Sequence, residues 1–430
     1  MAVDAESALA NEANLTQPET QDRPSLTVQS VVLGLCAVVA LDFIAIYVRY
    51  IYRASLMTYS HIPMSMLIAF TLLIVVGAIV SRMTGWVVSA SEWHAILIMA
   101  VVGGAVPIFG ISGYVLSYMA SPYYFATADN EWDKYLHPYI PKWVVPSDEG
   151  KAATWFYEGV PGGAEIPWGE WLLPLVWWTT MIVAAFVMLG CVAVIFRRQW
   201  VQNERLAFPA MAPLIDMVEA PGDGKGWLPG FTRNYLFWIG FGVAFGMIAW
   251  NCINYFLPGF PVFPIYRGRW YWIDRQFPPI RGFIGMFSLF FSYFASLEVL
   301  LSVWFFDLLF IVEGGTLNKM GYSACSPYYY RGVYYWQTKG AFVMMAASVF
   351  WVARRHIKEV FLKAVKPETP IEDGNEWISY RTAVIGLAVS MAYMWIWLAR
   401  IGFDVLQAIV LLFAVIFTYV GMAKILADTG

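Results

Sequence analysis

Acidic side chains interrupt some of the most apolar runs of the chain, where a charge is costly and is often functional. Glu298 lies near the centre of one such run, between FFSYFASL and VLLSVWFF, and Asp307 lies nine positions later. Asp42 lies within the first apolar run. A carboxyl group in this setting can take up a proton or bind a cation, so these three residues are candidate ion-binding sites. The alternative is a buried carboxyl group that Arg, Tyr or Trp partners satisfy.

The spacing of Glu298 and Asp307 limits how the two carboxylates can act together. At about 100° per residue, nine positions place them on opposite sides of a straight helix. Only a break near Ser302, or a re-entrant arrangement, lets both of them face one cavity.

Small residues and proline interrupt two further apolar runs. One contains GGAVPIFGISG at Gly103–Gly113, and the other contains GFGVAFG at Gly240–Gly246 with two asparagines shortly after it. Paired interrupted segments indicate a substrate site, because unwound backbone leaves free amides and carbonyls there. The alternative is close helix packing through small residues. The candidate substrate-binding residues are Gly103, Gly104, Pro107, Asn251 and Asn254.

The hub segment, Arg197–Glu219, reads RRQWVQNERLAFPAMAPLIDMVE and separates two long apolar runs. Its two leading arginines mark a membrane exit, and a polar cluster then gives way to an apolar return. This order predicts a short amphipathic element that returns to the membrane. Glu204, Arg205 and Pro209 are candidate gate residues. The simpler alternative is a local Glu204–Arg205 ion pair at a helix end.

Composition assigns the whole chain to the membrane-protein class. Hydrophobic residues make up 60% of the sequence and charged residues 13%, with a mean hydropathy of +0.59. Soluble domains hold about 45–50% apolar residues and about 25% charged ones. Several runs approach the ~20 residues that a helix needs to cross a bilayer. We therefore expect an all-α integral membrane protein in contact with lipid, and the net charge of −3 argues against a nucleic-acid partner.

Nine apolar runs are the predicted membrane helices, some of them broken or re-entrant. The acidic residues 1–25 predict a disordered tail, and residues 26–430 predict one polytopic membrane domain. Residues 120–170 are rich in aromatic residues, proline and acids, and we expect them to form an extramembrane cap loop. The chain ends at KILADTG, within or just past an apolar run, so we expect a truncated C-terminus. The nine runs are Val28–Val48, Ile62–Val80, Ala95–Met119, Trp171–Phe196, Tyr235–Leu257, Phe283–Val312, Thr338–Ala353, Thr382–Ala399 and Val405–Leu426.

Basic residues give the expected orientation of these runs. The arginines of the hub segment predict that it is cytoplasmic, and a basic cluster predicts the same for the loop after the seventh run. Three runs lie between the two loops, which places the loops on opposite sides unless Phe283–Val312 is doubled or re-entrant. We expect the N-terminus to lie inside. The basic cluster consists of Arg354, Arg355, Lys358, Lys363 and Lys366.

No residue pattern supports enzyme, metal or cofactor chemistry. The four cysteines and four histidines are scattered without paired spacing, so we expect neither a zinc site nor an attached haem. Walker A, GxSxG, HExxH and dinucleotide-binding fingerprints do not occur in the sequence. We therefore expect a protein that is not an enzyme and that holds no cofactor and no metal.

Several segments resemble an uncharacterised family of prokaryotic polytopic membrane proteins that is known as a domain of unknown function. They are WVQNERLAFPAMAPLIDM, preceded by RRQ, together with ASPYYFATADNEWDKYLHPYIPKWVVPSD, FYEGVP and IPWGEWLLPLVWW. These segments cover much of residues 80–220. Members of that family usually continue beyond a motif like LADTG.

The run ERLAFPAMAP is more distantly similar to the L-x-[FY]-P-x-x-x-A element of the oligopeptide transporter superfamily. Leu206, Phe208 and Pro209 match the element, and Pro213 stands in place of its alanine. This resemblance implies a proton-coupled importer of peptides or metal chelates.

The leading prediction is a secondary-transporter-like protein of the prokaryotic cytoplasmic (inner) membrane that takes up a peptide or a small solute. Its substrate site would lie between the broken third and fifth runs, with Glu298 nearby. The alternative is a cofactor-free membrane-anchor subunit of a larger complex, in which the aromatic loops dock a partner. Homo-oligomers and membrane-complex partners are compatible with both predictions.

Overall fold

A computed structural model describes residues 27–53, 64–85, 88–104, 106–107, 111–209, 211, 214–215, 234–263, 266–285, 288–289, 292–293, 295–322, 333–371, 373–374 and 376–429. This part of the chain is mostly helical, which confirms the all-α class, and it adds one β-hairpin. The tail predicted at residues 1–25 lies outside the described residues. The helices are α1 Val28–Ile46, α2 Met64–Thr84, α3 Ala90–Gly103, α4 Leu116–Tyr124, α5 Trp132–Tyr135, α6 Ala152–Glu158, α7 Trp168–Arg198, α8 Tyr235–Phe256, α9 Leu297–Lys319, α10 Val333–Val365, α11 Tyr380–Arg400 and α12 Val405–Thr429, and the strands are β1 Tyr266–Tyr271 and β2 Ile280–Gly285.

Six stretches of helix in the described residues are long and apolar enough to cross a membrane, which indicates an integral membrane protein. They correspond to the first, second, fourth, fifth, eighth and ninth predicted runs. The full set of nine spans is not confirmed. The six stretches are Val28–Ile51, Met66–Thr84, Trp168–Asn203, Tyr235–Phe256, Tyr380–Arg400 and Val405–Asp428.

The chain divides into two compact units. The first comprises Met1–Ile111 and Leu214–Ile239, and the second comprises Ser112–Pro213 and Gly240–Gly430. In the first unit, α1 packs along α3 and also contacts α2. Polar groups join the starts of α1 and α3, because the Thr27 hydroxyl donates a 2.5 Å hydrogen bond to Glu92 Oε1. Glu92 in turn completes a capping box with Ser89, so the backbone amides of Ser89 and Glu92 at the start of α3 are satisfied.

In the second unit, α7, α10, α11 and α12 form a bundle in which α7 packs along α11 and α10 contacts both α11 and α12. Helix packing in lipid depends on van der Waals contact, which small residues improve. Gly421 of α12 is one such residue, because a Cβ there would lie 2.8 Å from Phe342 of α10. The main buried cluster of the bundle consists of Val192, Ile195, Phe196, Trp200, Val349, Ala353, Val360, Ile371, Tyr380, Ala383 and Val420.

The third predicted run is broken, as expected. Helix α3 ends at Gly103 with Gly104 as its C-cap, and a separate π-helical turn, Ile111–Val115, leads into α4. Pro107 lies between the two pieces and has no amide hydrogen with which to continue the hydrogen-bond ladder. The break predicted from proline and glycine together is therefore confirmed.

The break predicted at Gly240–Gly246 is wrong, because α8 runs without interruption from Tyr235 to Phe256. Glycine keeps its amide hydrogen, so the i→i−4 ladder continues through all three glycines of the segment. The asparagines bond to the backbone of the following loop. Asn251 accepts from the Phe263 amide at 2.7 Å, and Asn254 donates to the Phe260 carbonyl at 2.5 Å.

The sixth predicted span, Phe283–Val312, is wrong at its start and is not one helix, since residues 288–289 and 292–293 are helical but residues 295–296 are not. Phe283 belongs to β2 and pairs with Gly268 of β1 in an antiparallel hairpin. Helix α9 begins only at Leu297, after the N-cap Ser296, whose hydroxyl accepts from the Val299 amide at 3.4 Å. Glu298 therefore lies in the first turn of α9 and not at the centre of an apolar helix.

The seventh predicted span, Thr338–Ala353, is only the middle of α10, which continues to Val365. At 1.5 Å per residue, its 33 residues extend about 50 Å. This helix carries most of the basic cluster that was predicted to lie in a loop. The residues concerned are Arg354, Arg355, Lys358 and Lys363.

The predicted cap, residues 120–170, is ordered around short helices. Helix α6 packs on α4, and the Tyr157 hydroxyl donates to the Ser117 carbonyl at 2.8 Å. Trp178 of α7 donates through Nε1 to the Val144 carbonyl at 2.9 Å. Hydrogen bonds from aromatic side chains thus connect the cap to α4 and α7.

Gly103→Ala should destabilise the protein by about 1–3 kcal/mol, because overpacking a helix contact has this cost. A Cβ at Gly103 would lie 2.7 Å from both methyl groups of Val38, a stiff β-branched side chain. Gly190→Ala in α7 is the control, since a Cβ there meets nothing within 4 Å. Unfolding midpoints in detergent check the pair, and an equal midpoint for both variants would contradict the close contact.

Candidate functional site

Glu298 and Asp307, two of the carboxylates predicted as ion sites, do not face one cavity in the structure. Glu298 and Asp307 are both exposed on α9, which runs from Leu297 to Lys319 without the break at Ser302 that a shared cavity needs. Asp42 lies half-buried on α1 in the first unit. Its Oδ1 atom is shielded from solvent and has no hydrogen-bond partner among the described residues.

The predicted gate region is the start of a polar network at one end of the second unit. Glu204 Oε2 accepts from Lys424 Nζ of α12 at 2.6 Å, and Glu204 Oε1 accepts from Gln199 Nε2 at 2.9 Å. Lys424 also pairs with Asp428 at 3.2 Å. We call these four residues the Glu204 network. The Glu204 and Lys424 side chains are only 21% and 16% exposed, so water screens their attraction weakly.

The local backbone of the hub segment brings Glu204 to α12. Helix α7 continues as a π-helical turn, Gln199–Asn203, after which the chain is irregular. Arg205 and Phe208 adopt positive φ angles of 54° and 47°, a conformation that is strained for residues other than glycine. The Phe208 amide donates to the Ala427 carbonyl at 2.9 Å, so the segment is bonded to α12 through backbone as well.

The structure corrects the local ion pair expected between Glu204 and Arg205. The Glu204 carboxylate bonds to Lys424 and Gln199, while Arg205 is exposed. Pro209 is buried at the end of the described part of the hub segment. An amphipathic element is not described there, since residues 204–208 have no regular secondary structure and most of 210–219 lies outside the described residues.

Two further polar contacts fasten the end of α7. Arg197 Nη1 donates to Glu376 Oε1 at 2.9 Å, and the Glu376 side chain is only 3% exposed. The buried His356 of α10 has its Nε2 atom 2.8 Å from the Ile195 carbonyl. Sequence reasoning missed Glu376, His356 and Lys424, because they lie at least 161 positions from their partners and no local spacing connects them.

Two adjoining clefts open beside these contacts, and both are lined by Arg198 and by residues 369–371. The smaller cleft has a volume of about 440 Å³ and the larger one about 600 Å³, which is within the usual range for small-molecule sites. Each cleft is lined by both positively and negatively charged side chains. The smaller cleft is lined by Arg198, Gln202, Lys363, Thr369, Pro370, Ile371, Asp373, Gly374 and Glu376. The larger cleft is lined by Arg198, Gln199, Asn203, Val352, Arg355, His356, Glu359, Thr369, Pro370 and Ile371.

The side chains of this region favour the binding of polar solutes. Within the described part of the chain, no group of three or more His, Cys, Asp or Glu side chains could hold a metal ion. Charged and amide side chains dominate the cleft walls, and a partly shielded ion pair lies next to them. The arrangement can bind a charged or zwitterionic solute and can change shape if the ion pair opens.

The fold and this polar end define a helical integral membrane protein. The chain belongs to a family of unknown function (DUF6785), whose model matches residues 20–430. Comparison with curated proteins and with solved structures gives no match.

The Glu204–Lys424 pair should contribute a coupling free energy of about 1–3 kcal/mol to unfolding, as expected for shielded neighbours in one network. The test is a double-mutant cycle with Glu204→Gln and Lys424→Met, followed by equilibrium unfolding in mixed micelles.

The matched control is a cycle on Glu131 and Lys134, an exposed ion pair of the cap with side chains 40% and 64% exposed. We expect a coupling below about 1 kcal/mol there. Equal coupling energies at the two pairs would contradict the account of the Glu204 network.

Proposed function

We propose that the protein is a secondary-transporter-like carrier whose polar end, in the second unit, contains a gate. One observation carries the proposal: the Glu204–Lys424 ion pair joins the hub segment to α12, and Gln199, which donates to Glu204, lines the larger of the two polar clefts. A shielded pair of this kind is stable while closed. It can open only when other groups or water take over its charges, so its state can depend on the occupancy of the cleft.

The proposed gate fastens the hub segment to α12 at the polar end of the helix bundle. When Glu204 and Lys424 are paired, the backbone bond from Phe208 to Ala427 holds the hub segment against α12. Opening the pair releases this segment and widens access to the clefts. The strained conformations at Arg205 and Phe208 lower the free energy needed for that release.

Several finer points belong to this proposal as expectations. Proton coupling and a peptide-like solute come from the resemblance of ERLAFPAMAP to the oligopeptide transporters. The cytoplasmic (inner) membrane comes from the resemblance to the prokaryotic family. Asp42 is the predicted ion site whose setting fits the proposal best, because it is half-buried within a membrane-spanning helix.

A second candidate function, the membrane-anchor subunit, has its own supporting observation. Helix α8 has no buried residue, and α9 exposes Glu298 and Asp307 among large apolar side chains such as Trp304 and Phe306. A carboxylate that faces lipid hydrocarbon costs free energy, so we expect another protein surface to pack against these helices. A partner subunit or a second copy of the chain would provide that cover.

Uptake into proteoliposomes tests the transport proposal. The purified chain is reconstituted with an inward proton gradient and supplied with a defined mixture of amino acids, dipeptides and tripeptides, which mass spectrometry then quantifies inside the vesicles. We expect at least one solute to accumulate above empty vesicles. Lys424→Met should reduce its initial rate about tenfold or more, while Lys134→Met in the exposed cap pair should not change it.

Native purification in mild detergent separates the two functions. A chain that accumulates no solute and co-purifies with a stoichiometric membrane partner would overturn the transport proposal in favour of the anchor subunit. Uptake that is unchanged in Lys424→Met would overturn the gate, even if transport itself is observed.

A further inference from the structure

One oxygen of a buried carboxylate in the second unit is left without a partner. Glu376 Oε1 accepts from Arg197, but Oε2 is shielded from solvent and has no hydrogen-bond partner among the described residues. The Glu376 side chain is only 3% exposed. A buried acceptor without a donor is unfavourable, so its retention in the wall of a cleft points to a donor that arrives with a ligand.

A buried tyrosine lies close to this carboxylate. Tyr380, the first residue of α11, is fully buried, and its hydroxyl interacts with Arg198, which lines the cleft. The backbone amide of Tyr380 is bonded to Asp373 Oδ2 at 3.2 Å, which holds the start of α11 beside the cleft. The unsatisfied carboxylate oxygen of Glu376 would be satisfied by a ligand with an N–H donor.

The smaller cleft also carries positive charge. Lys363 lines it and donates one hydrogen bond, to the Thr369 carbonyl at 2.9 Å, which leaves capacity on a group with three donors. Arg198 lines the same wall. Asp373 and Glu376 provide the acidic part of the lining. A ligand with charges of both signs is therefore complementary to this cleft, whereas a simple anion or cation meets one group of like charge.

We propose that the smaller cleft binds a small zwitterionic solute, with the ammonium group donating to the acidic wall of Asp373 and Glu376 and the acidic group directed to Lys363. The volume of about 440 Å³ accommodates a solute of a few to about a dozen heavy atoms. This inference rests on the proposed transport function, because it names the class of solute for the same site. It places recognition on α10 and on the loop before α11.

The probes are ω-amino acids of increasing length: glycine, β-alanine, 4-aminobutyrate and 6-aminohexanoate. Isothermal titration calorimetry with the purified full chain in nanodiscs measures binding without any gradient. Butylamine and butyrate are the matched single-charge probes. We expect at least one ω-amino acid to bind at least tenfold more tightly than either single-charge probe.

Variants assign the binding to the cleft. Glu376→Gln and Lys363→Met should each weaken the best probe about tenfold or more, since each removes one charge-assisted hydrogen bond. Tyr380→Phe removes only the hydroxyl and should weaken it a few-fold. The matched controls are Glu368→Gln and Lys366→Met, exposed residues of the same loop that do not line the cleft.

Several results would contradict the proposed binding of zwitterions. No measurable binding of any ω-amino acid, or equal binding of the single-charge probes, overturns it. So does zwitterion binding that Tyr380→Phe and Lys363→Met leave unchanged in folded protein. A chain that binds zwitterions but moves no solute in vesicles overturns the transport function alone, and a chain that transports another solute without binding zwitterions overturns this inference alone.

Discussion

The ion pair between Glu204 and Lys424 is the contact on which the polar end of the second unit depends. It joins the segment after α7 to the last helix, which follows it by 220 positions in the chain. Two shielded charges would each be costly alone, so neither side chain can leave without a replacement partner. The same segment carries the backbone bond from Phe208 to Ala427 and the two strained φ angles at Arg205 and Phe208.

Much of the fold follows from hydropathy and helix-ending residues, and the errors have physical causes. The break after Gly103 was predictable because a capping glycine and Pro107 act together, whereas glycines alone leave the ladder of α8 intact. Phe283 was assigned to a helix because short apolar runs do not distinguish a strand from a helix. Hydropathy also hid the true length of α10, whose charged end is helical.

The candidate site was predictable only in part. The polar cluster around Glu204 directly follows a long apolar run, so the sequence alone identifies this part of the site. Its partner Lys424 and the neighbouring Glu376 carry no local signal, because packing of α7 against α11 and α12 creates those contacts. Glu298 drew attention through its apolar surroundings, yet the hairpin before α9 moves it to an exposed first turn.

Opening of the Glu204–Lys424 contact is the central claim, and reversible cross-linking tests it most directly. Cysteines replace Phe208 and Ala427, which join the same two segments and leave the ion pair in place, in a chain whose four native cysteines are changed to alanine, and a cleavable thiol cross-linker then joins them. Solute uptake into vesicles is measured before cross-linking, after it and after cleavage. Uptake that stops on cross-linking and returns on cleavage agrees with a gate at this contact. Uptake at the same rate in fully cross-linked protein would contradict it.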